Sequence, residues 1–212
     1  MLFFSALRLT TVANATVIGS CQPLILLFIA GRIFGERPRR YDWVLAVVAM
    51  GGVAIVMFGS TGVQGWSLSG DLLSIATVVA WTLYFVFSKL STRKIEASQY
   101  TGATALICAL FATPFALASG QLFNMPSGNA WIWLFILSIG PGFTSHMLMN
   151  WALAHIPVWF GSTLTLAIPV TATVMAWVFL GEDVVALQFL GMGIVLFALG
   201  FIVIGQSNTA RR

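Results

Sequence analysis

Charge is what this sequence lacks. Only 8% of its 212 residues are Asp, Glu, Lys or Arg, where a soluble domain has about a quarter. With 59% hydrophobic residues and a mean hydropathy of +0.96, no fold could keep its surface wet, so the solvent must be lipid. Cysteine is scarce: Cys21 and Cys108 both lie inside apolar runs without metal-type spacing, which argues against a disulfide framework or a zinc site. No phosphate-binding loop occurs, which disfavours an ATP-driven pump. No His-Glu-x-x-His and no mid-membrane aspartate pair occurs, and adjacent Ser145 and His146 point to different helix faces, so they cannot form a dyad with each other. Both facts count against an intramembrane protease. Residues 185–206 contain no lysine for a Schiff base, which removes a retinal protein. The start, "MLFFSALRL", has no basic region and no convincing cleavage site, so it is not read as a signal peptide.

Long apolar runs are what the sequence has. Seven are long enough to span, at about 11–34, 41–60, 70–91, 99–119, 130–152, 158–180 and 185–206. Each has about 20 residues or more, enough for a hydrocarbon core about 30 Å thick. Lipid cannot satisfy a bare backbone, so the runs are helices, and the fold class is an all-α, polytopic integral membrane bundle. The connecting loops, such as "STGVQGWSLSGD" and "SGQLFNMPSGN", are short and rich in Gly, Ser, Asn and Pro.

The net charge of +4 and a pI near 9.6 would suggest a nucleic-acid partner in a soluble protein. Here the basic residues fall in clusters between apolar runs, so the partner they imply is the lipid bilayer. Arg37, Arg39 and Arg40 follow the first run, Lys89, Arg93 and Lys94 the third, and Arg211 and Arg212 the seventh, while loops 61–69 and 120–129 hold no Lys or Arg. If each run crosses once, all three clusters lie on one side. The positive-inside rule makes that side the cytoplasm and places the C-terminus there, in an inner-membrane protein. Arg32 fits as a snorkelling residue; Arg8 is the exception.

A gapless shift of 146 residues superposes the chain on itself. It carries Ala6-Leu7 onto Ala152-Leu153, Pro23 onto Pro169, Ala30 onto Ala176, Gly35-Glu36 onto Gly181-Glu182 and Gly59 onto Gly205. The first and second runs then match the sixth and seventh. Matched runs are an odd number of spans apart, so the copies face opposite ways. That is an inverted-topology repeat, the architecture of many secondary transporters. The division this gives is 1–60 as the C-terminal part of one repeat and 61–212 as a complete second repeat with a short tail.

The segments "ALRLTTVANATVIGSCQPLILLFIAGRIFGERP", "ALAHIPVWFGSTLTLAIPVTATVMAWVFLGED" and "LLSIATVVAWTLYFVFSKL" resemble the EamA-type transporters of the drug/metabolite transporter superfamily. The resemblance covers nearly the whole chain and is specific to family rather than substrate. It implies ten helices in two five-helix halves, with this chain matching helices four to ten and the tail of the third. By the repeat, about 75–80 residues of the first half are expected to precede Met1. The implied function is alternating-access transport of a small metabolite, without enzyme activity, metal or cofactor. The rival reading, raised by the shortness, is a truncated, transport-inactive remnant with a structural or regulatory role.

Candidate site residues follow from helical faces. On the third run Ser74, Thr77, Trp81, Tyr84 and Ser88 share a face; on the sixth, Ser162, Thr165, Pro169 and Thr173 do. On the fifth, Ser138, Gly142 and Ser145 align, with His146 and Asn150 beside them; on the first, Thr10, Asn14 and Cys21 lie together, with Gln22 nearby. A polar or aromatic stripe in lipid must face protein or water. One reading is a substrate cavity lined by Trp81, Tyr84, Thr77, His146, Asn150, Ser145, Asn14, Gln22 and Thr165; the other is helix packing through small and polar residues. Packing is the plainer account of any single Ser or Thr, and a cavity suits Trp81, Tyr84, His146 and Asn150 better. His146, the one ionisable residue well inside a run, could carry a proton or be a neutral, hydrogen-bonded ring. Pro23 and Pro169 fall mid-run, where each should free a carbonyl (Gly19 and Thr165) and act as hinge or packing kink; Pro141, between Gly140 and Gly142, makes a third weak point. Glu36 and Glu182 read as helix-end anchors. Gly51, Gly52, Gly191, Gly193 and Gly200 are expected to permit close helix contact, within the chain or between protomers of a homodimer.

Overall fold

The structure is a computed structural model that describes residues 2–61, 67–120, 125–181 and 183–210; Glu182, Arg211, Arg212 and parts of the two loops named above lie outside the described residues. Every regular element among the described residues is helical: α1 (Leu2–Leu7), α2 (Val12–Gly19), α3 (Gln22–Phe34), α4 (Arg40–Thr61), α5 (Leu68–Thr92), α6 (Ala97–Ala118), α7 (Ala130–Leu137), α8 (Ser145–His155), α9 (Val158–Leu164), α10 (Ile168–Met175) and α11 (Ala186–Ala210). Together they supply seven helices long and apolar enough to cross a membrane: Asn14–Phe34, Arg40–Gly59, Leu68–Thr92, Ala97–Ala118, Ala130–His155, Val158–Leu180 and Ala186–Ser207. These are the seven runs read from hydropathy, and the chain is a multi-pass membrane bundle.

Two compact units divide the chain: Met1–Tyr84 with Pro157–Arg212, and Phe85–Ile156. In the first, α4 packs along α11. The pair runs antiparallel, since Gly59 near the end of α4 meets Gln188 near the start of α11, Gly52 meets Val195, and Tyr41 at the start of α4 meets Gly205. Glycine lets the two backbones touch. A Cβ at Gly52 would lie 2.9 Å from the carbonyl oxygen of Gly191, and one at Gly191 would lie 2.7 Å from that of Gly52. Gly51, Gly193 and Gly200 have open space at that position and take no part in the contact. Ala49, Val53, Val56, Val195 and Ala198 fill the seam, and Leu166 and Val170 close it from the side. With lipid as apolar as leucine, such close dispersion contact is what drives helix association.

The local geometry repeats at the sequence offset. Helices begin at Val12 and Val158, at Gln22 and Ile168, and at Arg40 and Ala186, each pair 146 apart. Gly35 and Gly181 end their helical segments in the same left-handed conformation (φ 69° and 68°), each donating its N–H to the residue five back, Ala30 or Ala176. Glycine is the residue that reaches this conformation without steric cost, which is why the apolar runs stop at Gly-Glu.

Glu36, next after Gly35, does more than mark a boundary. Both its carboxylate oxygens accept from the N–H of Val158, at 2.9 Å each. A carboxylate thus caps the first turn of α9, where unpaired amides and the helix dipole favour negative charge, and α3 packs against α9. We expect Glu36→Ala to lower the stability of the detergent-solubilised protein by about 1 kcal/mol. Glu36→Gln, whose amide oxygen still accepts, should lose about half of that. Thermal unfolding curves for the three proteins that superimpose would disprove the cap.

Candidate functional site

In the first unit the first membrane span is broken near its middle. α2 ends at Gly19, a turn at Ser20-Cys21 follows, and α3 restarts with Pro23 at its second residue. Pro169 takes the same place in α10, after a 3-10 turn at Thr165–Ala167. The prolines therefore sit at starts of half-helices rather than inside continuous ones, a position that their fixed φ and missing N–H suit. Thr165 corrects one detail. Its carbonyl is not free, because the chain tightens and the Ile168 N–H donates to it. Its hydroxyl donates to Ser162 O at 2.6 Å.

Asn14 belongs to a polar string. Its amide donates to Thr10 Oγ1 at 3.4 Å, and the Thr10 hydroxyl donates to Asp71 Oδ1 at 2.8 Å, tying the start of α2 to the first turn of α5. Gln22, immediately after the break, is buried and its Nε2 has no hydrogen-bond partner. On α5, Thr77 is buried and donates to Leu73 O at 2.9 Å. Trp81 and Tyr84 meet edge to face with ring centroids 5.3 Å apart, and Trp81 keeps 39% of its surface exposed. So Thr77, Trp81, Tyr84, Asn14, Gln22, Thr165 and both repeat prolines occupy the first unit.

Asn150, His146, Ser145 and Pro141 occupy the second. Pro141 sits inside a π-helical turn, Ser138–Thr144, between α7 and α8. The wider turn absorbs the proline: Ser145 N–H reaches back to Gly140 O, and the Thr144 hydroxyl to Ile139 O at 2.7 Å. Ser145 Oγ and His146 Nδ1 likewise bond carbonyls of their own helix, His146 to Gly142 O at 2.7 Å. Asn150 is wholly buried, accepting from Ser88 Oγ at 2.6 Å and donating to Thr101 Oγ1 at 2.9 Å. It is a tie between α5, α6 and α8, and its amide is engaged at both ends.

Lys89 escaped the sequence reading, which counted it with the orienting cations. It is buried, and its ammonium donates to the carbonyls of Leu153, at 3.1 Å, and Ile156. It closes the C-terminal end of α8, where dipole and unpaired carbonyls favour a cation. Its position beside Arg93 and Lys94 hid this; a lysine at the last turn of a span, one helical turn before the cluster, was the available signal.

Comparison with known proteins bears out the family that the sequence resembles. The model of the EamA-like transporter family matches residues 1–58 and 68–204. The chain is 27% identical over 208 residues to the uncharacterized transporter YwfM of Bacillus subtilis, covering 97% of this chain and 69% of that protein. It is 24% identical over 192 residues to the uncharacterized transporter YetK of the same organism (88% and 58%). It is 27% identical over 142 residues to the aromatic amino acid exporter YddG of Ancylobacter novellus (66% and 48%). The chain thus spans between about half and two-thirds of the length of these relatives. One crystal structure shares its fold with a TM-score of 0.76 at 23% identity, over 93% of this chain and 70% of that one.

Proposed function

This chain belongs to the EamA-like transporter family, and on that premise we propose that it moves a small metabolite across the membrane as a secondary transporter, by alternating access between inverted repeat copies. The observation that carries the reading is the pairing of α4 with α11. These helices are repeat mates by sequence offset, they run antiparallel, and they meet backbone to backbone through Gly52 and Gly191. Two copies of opposite orientation that share one seam can exchange roles by rocking, which exposes a fixed site to each side in turn. The broken spans at Pro23 and Pro169 supply the local flexibility. Trp81 and Tyr84, with Thr77 one turn before, form the aromatic wall of the site in the first unit. Taken by itself, the second unit offers His146 and Ser145 as separate candidate contacts.

An amino-acid-sized metabolite is the natural first substrate class, since one relative is named an aromatic amino acid exporter. The test is flux of labelled amino acids, aromatic ones first, in cells expressing the chain with whatever coding sequence precedes it. Carrier-mediated flux is expected, and Trp81→Ala should reduce it about tenfold or more at unchanged membrane insertion, the loss of about 1.4 kcal/mol of aromatic contact. Full insertion with no flux for any compound, or flux indifferent to Trp81→Ala, would overturn the reading or its aromatic wall respectively. Green fluorescent protein fused after Arg212 reports orientation in the same cells, and fluorescence is expected under the positive-inside rule, which favours a cytoplasmic C-terminus.

A further inference from the structure

The break in the first span leaves a buried side-chain donor over. Four backbone amides around it are paired: Ser20 N–H goes to Thr16 O at 2.9 Å, Cys21 N–H to Ile18 O at 3.0 Å, and Leu24 and Ile25 N–H both to Cys21 O, at 3.1 and 3.4 Å. Pro23 has no N–H. The Ser20 hydroxyl is used on Thr16 O and the Cys21 thiol on Val17 O. The side-chain amide of Gln22 remains. It is only 7% exposed, and Nε2 has no hydrogen-bond partner.

Three features converge at this donor. First, a buried amide donor with nothing to bond is costly, and more so in a membrane where water does not relieve it. Second, Gln22 lies eight residues into the span Asn14–Phe34, about 12 Å along it at 1.5 Å per residue, hence near the bilayer centre. Third, it is the first residue of α3, a 13-residue helix, whose N-terminal end carries partial positive charge. Transporter sites are built where a broken helix aims that end at the anionic group of a substrate. The cargo is narrowed further by the absence of cations: Arg32 is the one Lys or Arg within the span, ten residues beyond Gln22. An NH2 group and a helix end with no cation within nine residues on their own span suit a single carboxylate better than a phosphate dianion.

We propose that the Gln22 amide is the docking donor for the carboxylate of the transported metabolite. This rests on the transporter reading above and adds the chemistry of one subsite to it. A carboxylate accepts from Nε2 on arrival and leaves the donor unpaired on departure, so occupancy itself relieves the orphan.

The test pairs amino acids with the amines that lack only the carboxylate: phenylalanine with phenethylamine, leucine with 3-methylbutylamine. Binding is measured on the purified protein in nanodiscs by tryptophan fluorescence. The wild type is expected to prefer each acid by about tenfold or more, and Gln22→Leu should bring the ratio to about one with amine affinity unchanged. Gln22→Asn should keep part of the preference. Gln22→Leu removes an unpaired donor and keeps the volume, so the unliganded protein should melt at the same temperature or higher; a merely structural glutamine would lower it. Binding of the acids with a ratio untouched by Gln22→Leu overturns the subsite and leaves the transporter reading standing, and a water molecule then satisfies the amide. Failure of every compound to bind or move overturns both.

Discussion

Gly191→Leu is expected to cost the protein its fold, while Gly193→Leu, one half-turn away on the same helix, costs almost nothing. A Cβ at Gly191 would lie 2.7 Å from Gly52 O, 2.8 Å from Val56 N and 2.8 Å from Val56 Cγ2, and two of those three atoms are backbone. Backbone in a helix cannot step aside alone, so α4 and α11 would have to separate. Separation opens the seam that Ala49, Val53, Val56, Val195 and Ala198 fill, each with no exposed surface. One inserted methylene in a tight core costs about 1–3 kcal/mol; leucine adds four carbons, and the sum exceeds a typical membrane-bundle margin. Gly193 has nothing within 4 Å at its Cβ position, and leucine there meets lipid. The measurement is size-exclusion profile and melting temperature after extraction, with Gly52→Ala as an intermediate case expected to lose about 1–3 kcal/mol. Equal behaviour of the Gly191 and Gly193 variants would refute the close crossing and, with it, the observation on which the transport mechanism leans.

That contrast also shows how far the sequence could be read. Hydropathy located seven spans, because a span is a property of one segment in one solvent. The breaks at Pro23 and Pro169 were legible for the same reason: a proline's missing amide is local. The glycine seam was half legible. Of the five glycines expected to make the contact, Gly52 and Gly191 face the partner, as do Gly59 and Gly205 outside the five, and the sequence does not say how a helix is rotated about its axis. The hydroxyls show the converse. Ser74, Thr77, Thr101 and Thr173 each donate to the carbonyl four residues back on their own helix, so a polar stripe on a wheel is largely satisfied before any neighbour arrives. What a stripe could not disclose is which polar groups reach across. Glu36 finds Val158 at a separation of 122 residues, and Lys89 finds two carbonyls at the end of α8. Both contacts depend on tertiary placement, and neither leaves a trace in periodicity.

Asn150→Leu should destabilise the second unit by about 1–3 kcal/mol, and it should do so without touching substrate preference. The sequence leaves Asn150 a choice between cavity and packing and favours the cavity, since a polar group inside a span must face protein or water. It faces protein. Ser88 Oγ donates to it at 2.6 Å, it donates to Thr101 Oγ1 at 2.9 Å, and all three side chains are sealed from the surface. Each interhelical hydrogen bond of this kind contributes about 0.6–2 kcal/mol in membranes, and leucine of similar volume loses two of them while leaving a hydroxyl orphaned. The share matters because apolar packing here is thin: Thr101 is the one buried residue of α6, α7 has none, and α8 buries only Leu153 besides Asn150 itself. In a unit so lightly packed, a three-helix polar tie is a large part of what fixes α5, α6 and α8 together. Asn150→Asp should also destabilise, since it puts a charge at a wholly buried position inside a span. The pair Ser88→Ala and Asn150→Ala should couple by about 1 kcal/mol in a double-mutant cycle read by thermal unfolding. Transport abolished by Asn150→Leu at an unchanged melting temperature would return Asn150 to the substrate path; lost stability with an unchanged substrate ratio assigns it to the frame that holds the path in place.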